Sequence, residues 1–177
     1  MSASVSVLEI HQEMDRVRVE FHGLLAQASP NDLARASDGT HWSNEQLLFH
    51  MLFGYLVVRN LRIIVEVFGR LPDPVSRAFG RLLDSLNRPF HVINYWGSRM
   101  GARVIRPARI GRLFDRTIAS LQRHLDAETE SALARRMHFP TRWDPFFGDV
   151  MTLQDVYHYP TQHFDFHRAQ LTLNQKD

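Results

Sequence analysis

The sequence predicts an all-α protein, a bundle of four main helices, and two observations lead to it. Val7, Ile10, Met14, Val17, Phe21, Leu24 and Ala28 recur at alternating spacings of three and four, and His50, Phe53, Val57, Leu61, Ile64 and Phe68 make a second such stripe. Convincing period-two alternation is absent, as are internal repeats and low-complexity segments, so nothing argues for a sheet or a repeat array. A chain of 177 residues is long enough to bury a core as one domain spanning 1–177.

The first stripe places a helix over Val7–Ala28. From Ala28 to Trp42, Pro30, Asn31, Asp38 and Gly39 punctuate a turn with room for at most one short helical turn. Ser43 and Gln46 have the form of a capping box, and Trp42 and Leu47 stand where a hydrophobic staple would, so the second helix starts at Ser43. It runs to about Gly69, with His50 on its inner face two turns in.

"GRLPDPV" at 69–75 ends that helix, and a third helical region begins near Val75. It carries Leu82, Leu83 and Leu86 early and Leu113, Ile118, Leu121 and Leu125 late. Pro89, Gly97, Gly101 and Pro107 predict kinks or a break between Asn87 and Pro107, leaving one bent helix or two. A short helix over Glu128–Met137 and an aromatic loop, "HFPTRWDPFFGD" at 138–149, come next. Thr152 and Asp155 then open a last helix that extends to about Leu173. Pro160 cannot donate to the Val156 carbonyl, so that helix is expected to bend one turn before His163.

Composition removes several function classes. Cysteine is absent, which excludes disulfide frameworks, thiolate zinc sites and cysteine nucleophiles and leaves His, Asp and Glu as the strong metal ligands. The first twenty residues lack a basic stretch followed by an unbroken apolar one; no signal peptide is read and a cytoplasmic location is expected. The most apolar run, Leu47–Val58, is too short to span a bilayer, so no membrane partner is expected. The pI of about 9.4 accompanies a net charge of only +2, because Lys176 is the single lysine and arginine titrates late. The basic run at 99–112 reads as a solvated face, and no nucleic-acid partner is expected.

Histidine carries the chemistry. With 10 histidines in 177 residues, random placement gives on the order of 0.5 pairs at i, i+4, so the spacing of His163 and His167 needs further support. A helix points that pair the same way, and the inward-facing His50 supplies a third imidazole from a second helix. Three neutral imidazoles suit a divalent Zn, Ni or Fe ion, with coordination positions left open for water or substrate. The same residues are also compatible with a hydrogen-bonded core histidine at 50 and a solvated pair at 163 and 167. Gln170 shares the face of His163 and His167 and is placed to hold a ligand's other ring nitrogen or a metal-bound water, or to lie free at the surface. His158, five residues before His163, points away. The sequence offers no obvious Asp or Glu general base next to the triad. Phe139, Trp143, Phe146 and Phe147 lead into the last helix and are placed either to wall a pocket or to cover the end of the core.

"HWSNEQLLFHM" at 41–51, followed by "TLQDVYHYPTQHFDFHRAQL" at 152–171, resembles the DinB-like (YfiT-like) superfamily of metal-binding bundle proteins. The elements that carry the resemblance are Trp42, Ser43, His50, Thr152, Leu153, Asp155, His163, His167 and Gln170. It implies an up-down-down-up four-helix bundle that often dimerises, with His50, His163 and His167 as metal ligands. It further implies either a metal-dependent enzyme that activates a low-molecular-weight thiol or a water, or a non-catalytic bundle that binds a small molecule or partner. For thiol transfer the thiol would be a cosubstrate, and Arg59, Arg99 or Arg103 would be available to an acidic group on it. Residues 87–107 match no familiar pattern and are where substrate choice would differ.

Overall fold

The structure, a computed structural model, describes residues 5–105 and 107–174, with the backbone alone at 107 and 108. Helix α1 spans Val7–Gln27, the five-residue α2 Pro30–Ala34, and α3 Asn44–Phe68. The undecided third region is three helices, α4 at Asp73–Ser85, α5 at Asn87–Val104 and α6 at Pro107–Ala127. After α7 at Glu130–Leu133 come two three-residue strands, β1 at Arg136–His138 and β2 at Val150–Thr152, paired antiparallel, and then α8 at Leu153–Arg168. This hairpin is too short for a period-two pattern to register. The last helix stops five residues before the expected Leu173.

The capping boxes at Ser43 and Thr152 mark the starts of α3 and α8 as expected. Ser6, Ser29, Ser43 and Thr152 each accept from the third backbone N–H of the helix they precede, and Glu9, Asp32, Gln46 and Asp155 return the bond to the cap. Pro160 removes one rung of the α8 ladder, yet the helix continues through it.

Helices α1, α3, α6 and α8 enclose the core. Phe21 of α1 stacks on Phe114 of α6 at 4.3 Å, and Tyr55 of α3 meets that ring edge-on at 5.2 Å. All three are fully buried, and burial of each such side chain contributes about 1.5–3 kcal/mol. Cross-helix pairs give the directions. Val5 pairs with Gln154, Glu13 with His158 and Arg16 with Asp165, so α1 and α8 run the same way. His11 with Asp126 and His22 with Asp115 make α6 antiparallel to α1. Tyr55 with Thr161 and His50 with His163 make α3 antiparallel to α8.

Helix α5 lies outside this ring, against α3. Small residues permit the approach: Ser98 and Ala102 are buried, and a Cβ on Gly101 would stand 2.1 Å from the Phe49 ring. Among the described residues no helix is long and apolar enough to cross a membrane.

Candidate metal centre

The fold brings His50, His163 and His167 together. Each offers a nitrogen within 4.8 Å of those of the other two, and their ring centroids are 4.5–4.8 Å apart. The Nε2 atoms of His50 and His163 are 3.1 Å apart. Two nitrogens bound to one ion at about 2.0–2.1 Å would be separated by about 3 Å, so this pair already has the spacing of a shared ligand sphere.

Neighbouring groups hold two of the rings in the tautomer that metal binding needs. Ser98 Oγ donates to the Asn94 carbonyl at 2.9 Å, so toward His50 Nδ1, 3.1 Å away, it acts as acceptor. Gln170 Oε1, 2.7 Å from His167 Nδ1, can only accept. Both imidazoles therefore carry the proton on Nδ1 and leave the Nε2 lone pair free. Gln170 is itself tethered, because its carbonyl accepts the Asp38 N–H at 2.8 Å from the turn in which Gly39 adopts a φ of +64°. The neighbouring Thr172 N–H donates to Asn44 Oδ1 at 3.1 Å, which pins this end of the chain to the start of α3.

His163 differs: its Nδ1 is buried with no hydrogen-bond partner among the described residues. It lies on the backbone of Gly54, where a Cβ would come within 2.8 Å of it. A glycine inside a helix costs roughly 1 kcal/mol relative to alanine. In α3 that cost opens the space into which α8 sets its histidine.

Burial governs the charge state. His50 and His163 are 4% and 3% exposed, whereas His167 is half-buried. Desolvation, with a smaller contribution from the nearby His167, pushes the His50 imidazolium down to about 3. His163 is lowered well below the ordinary histidine value by burial and then by His50 and His167. His167 is lowered by burial, against the hydrogen bond it donates to Gln170. All three are held neutral, the form that coordinates a metal.

One acidic residue reaches the site that the sequence reading did not anticipate. Asp144 Oδ2, from the loop before β2, is 3.9 Å from His163 Nε2 and accepts the Tyr159 hydroxyl at 2.9 Å. Burial raises the Asp144 carboxyl above its usual value, against the hydrogen bonds from Phe146 N–H and Tyr159. The local signal was an aspartate within an aromatic loop that enters the histidine-bearing helix, but loop spacing does not say which way it folds.

The remaining candidates divide. Phe147 and Trp143 line the cavity beside His50 and His163, together with Phe90 of α5. Trp143 stacks on Phe90 at 4.1 Å and donates to the Leu83 carbonyl, while Phe139 is core and Phe146 packs against Phe166. Trp42 covers the other side, its ring 4.3 Å from that of His50. Arg99 lies over Tyr95 and Trp96, and Arg59 and Arg103 are exposed. His158 is engaged by Glu13 at 2.8 Å, away from the triad.

Comparison with known proteins agrees with this arrangement in one respect. No curated protein and no solved structure gives a match. A family model described as the DinB superfamily matches residues 13–171, a span that includes the three histidines and both helices that carry them, and the chain therefore belongs to the DinB superfamily.

Proposed function

We propose that the protein is a metal-dependent enzyme whose divalent ion, Zn, Ni or Fe, is held by His50, His163 and His167. The observation that carries this reading is the triad itself: three neutral imidazoles on two helices, two with their outer nitrogens already hydrogen-bonded to Ser98 and Gln170. When bound, such an ion lowers the pKa of a coordinated thiol or water and makes a nucleophile near neutral pH. Since the chain has no cysteine, a thiol would come from a low-molecular-weight cosubstrate. Its approach is over the half-buried His167, and Phe90, Trp143 and Phe147 give the small cavity beside His50 and His163 apolar walls.

The reading extends to a cytoplasmic homodimer acting on a small molecule. The exposed Ile93, Trp96, Met100 and Val104 along α5 are an apolar face such a pairing would cover, and sedimentation would count the copies. A second reading is a bundle whose ion is structural. It is favoured by the small volume beside His50 and His163, about 20 Å³. Metal analysis of untagged protein, followed by a screen of low-molecular-weight thiols against a chromogenic electrophile, separates the two. Turnover that vanishes on chelation and returns with metal supports the enzyme, and metal without turnover supports the structural ion.

A further inference from the structure

We propose that Asp144 is a positioning residue: its carboxylate accepts a hydrogen bond from the water, or other protic ligand, that completes the coordination of an ion held by the three histidines. The proposal rests on the metal-site reading above. Two donors bound to one ion at 2.0–2.2 Å lie about 3.0–3.4 Å apart at ordinary angles. At 3.9 Å from His163 Nε2, Asp144 Oδ2 stands just outside that shell. It is near enough to reach a molecule in the adjacent coordination position.

The carboxylate is held in place. Phe146 N–H donates to Oδ1 at 2.9 Å and the Tyr159 hydroxyl to Oδ2 at 2.9 Å. Tyr159 lies one turn before His163 on α8, so the helix that presents the imidazole also orients the acid. A carboxylate has about four acceptor positions, and these two donors leave capacity for another. The cavity bounded by His50, Asp144, Tyr159 and His163 measures about 20 Å³, room for about one water.

Charge points the same way. The Asp144 side chain is 12% exposed, and His163, a neutral imidazole, is its only ion-pair partner among the described residues. A buried carboxylate without a cation is costly, and an ion held by the three histidines would supply the missing positive charge.

The test uses cobalt(II), followed by its visible absorption, and azide as the exogenous ligand, on the untagged full chain and its variants D144N and Y159F. All three should take about one cobalt per chain, Y159F with an affinity within about threefold of wild type and D144N about tenfold more weakly, since it loses a charge just outside the ligand shell. Azide should bind D144N about tenfold more tightly than wild type, because it no longer displaces a water held by the carboxylate. Y159F keeps the carboxylate and loses one loop anchor, and its azide affinity should stay within about threefold of wild type. Equal shifts in both variants, or none in D144N, would reduce Asp144 to a loop anchor and overturn the proposal. A fall in cobalt affinity of about a hundredfold in D144N would make it a ligand, which also overturns it. Wild type that takes no cobalt would be a failure of the metal reading itself. Should D144N not melt cooperatively, D144S replaces it with the same expectation.

Discussion

Gly54 of α3 lies directly beneath His163 of α8, so close that a Cβ built on the glycine would stand 2.8 Å from His163 Nδ1. Both ring and backbone are buried, and the imidazole has nowhere to retreat without leaving its partner His50. Gly54→Ala should therefore weaken metal binding about tenfold or more, even though alanine is the better helix former. Gly23 of α1 has nothing within 4 Å of its Cβ position. Gly23→Ala should raise stability by roughly 0.5–1 kcal/mol and leave metal affinity alone. Thermal melts and a chromophoric chelator competition read both quantities, and a G54A variant with wild-type affinity would dismiss the packing argument.

Alanine at His50, His163 or His167 should each reduce metal affinity about a hundredfold or more, because the site has three imidazoles and loses one. His11, His22 and His124 bond Asp126, Asp115 and the Ser120 carbonyl, far from the triad in their helices. Alanine there should change metal affinity by less than about twofold. Comparable losses in the two sets, measured by calorimetry, would show that the metal binds elsewhere.

Ser98→Ala removes the acceptor that keeps the proton on His50 Nδ1, and Gln170→Ala does the same for His167. Each should cost about 10–100-fold in metal affinity while retaining the fold. Circular dichroism together with a metal titration checks this. Unchanged affinity in both variants would mean that the tautomers are set by the ion and not by the protein.

The metal-free protein should lose stability in acid over a defined window. An unfolded histidine titrates near 6.5, whereas folded His50 is pushed down to about 3, and His163 and His167 are also lowered. Between those limits the unfolded chain binds more protons than the folded one. Stability is then fully present above about 6.5 and falls as pH drops, His50 contributing roughly 1.4 kcal/mol per pH unit down to about 3 and His163 and His167 adding in the same direction. Asp144, raised by burial, opposes this in part. Melts in chelator from pH 7 to pH 4 should show the slope, and the double variant H50Q/H163Q should flatten it. Parallel slopes for variant and wild type would place the acid sensitivity in the carboxylates instead. Bound metal should hold the melting temperature up until protons compete for the imidazoles, which burial moves below 6.5.

Local chemistry was the legible part of the fold. Ser43 with Gln46 and Thr152 with Asp155 mark helix starts by bonds confined to one turn, and the stripes through Val17 and Phe21 mark buried faces by period alone. The region from Asn87 to Pro107 was harder to read. Proline and glycine there signal interruption, yet α5 is a continuous helix whose Ser98, Gly101 and Ala102 are small because α3 packs against them. Pro89 falls in its first turn, where its missing N–H costs little. The β1–β2 pair escaped notice because three residues per strand are too few for a pattern.

By itself the sequence determined the first, second and last main helices, the inward face of His50 and the common face of His163 and His167, since these follow from spacing along one helix at a time. Only the tertiary structure decided that the two faces meet with Nε2 atoms 3.1 Å apart, and that α5 brings Ser98 to His50. It also decided that the loop returns Asp144 to His163. The physical reason is range. Caps and stripes act over three to seven residues, whereas the contacts of His50 span 48 residues to Ser98 and 113 to His163, and are set by how whole helices pack.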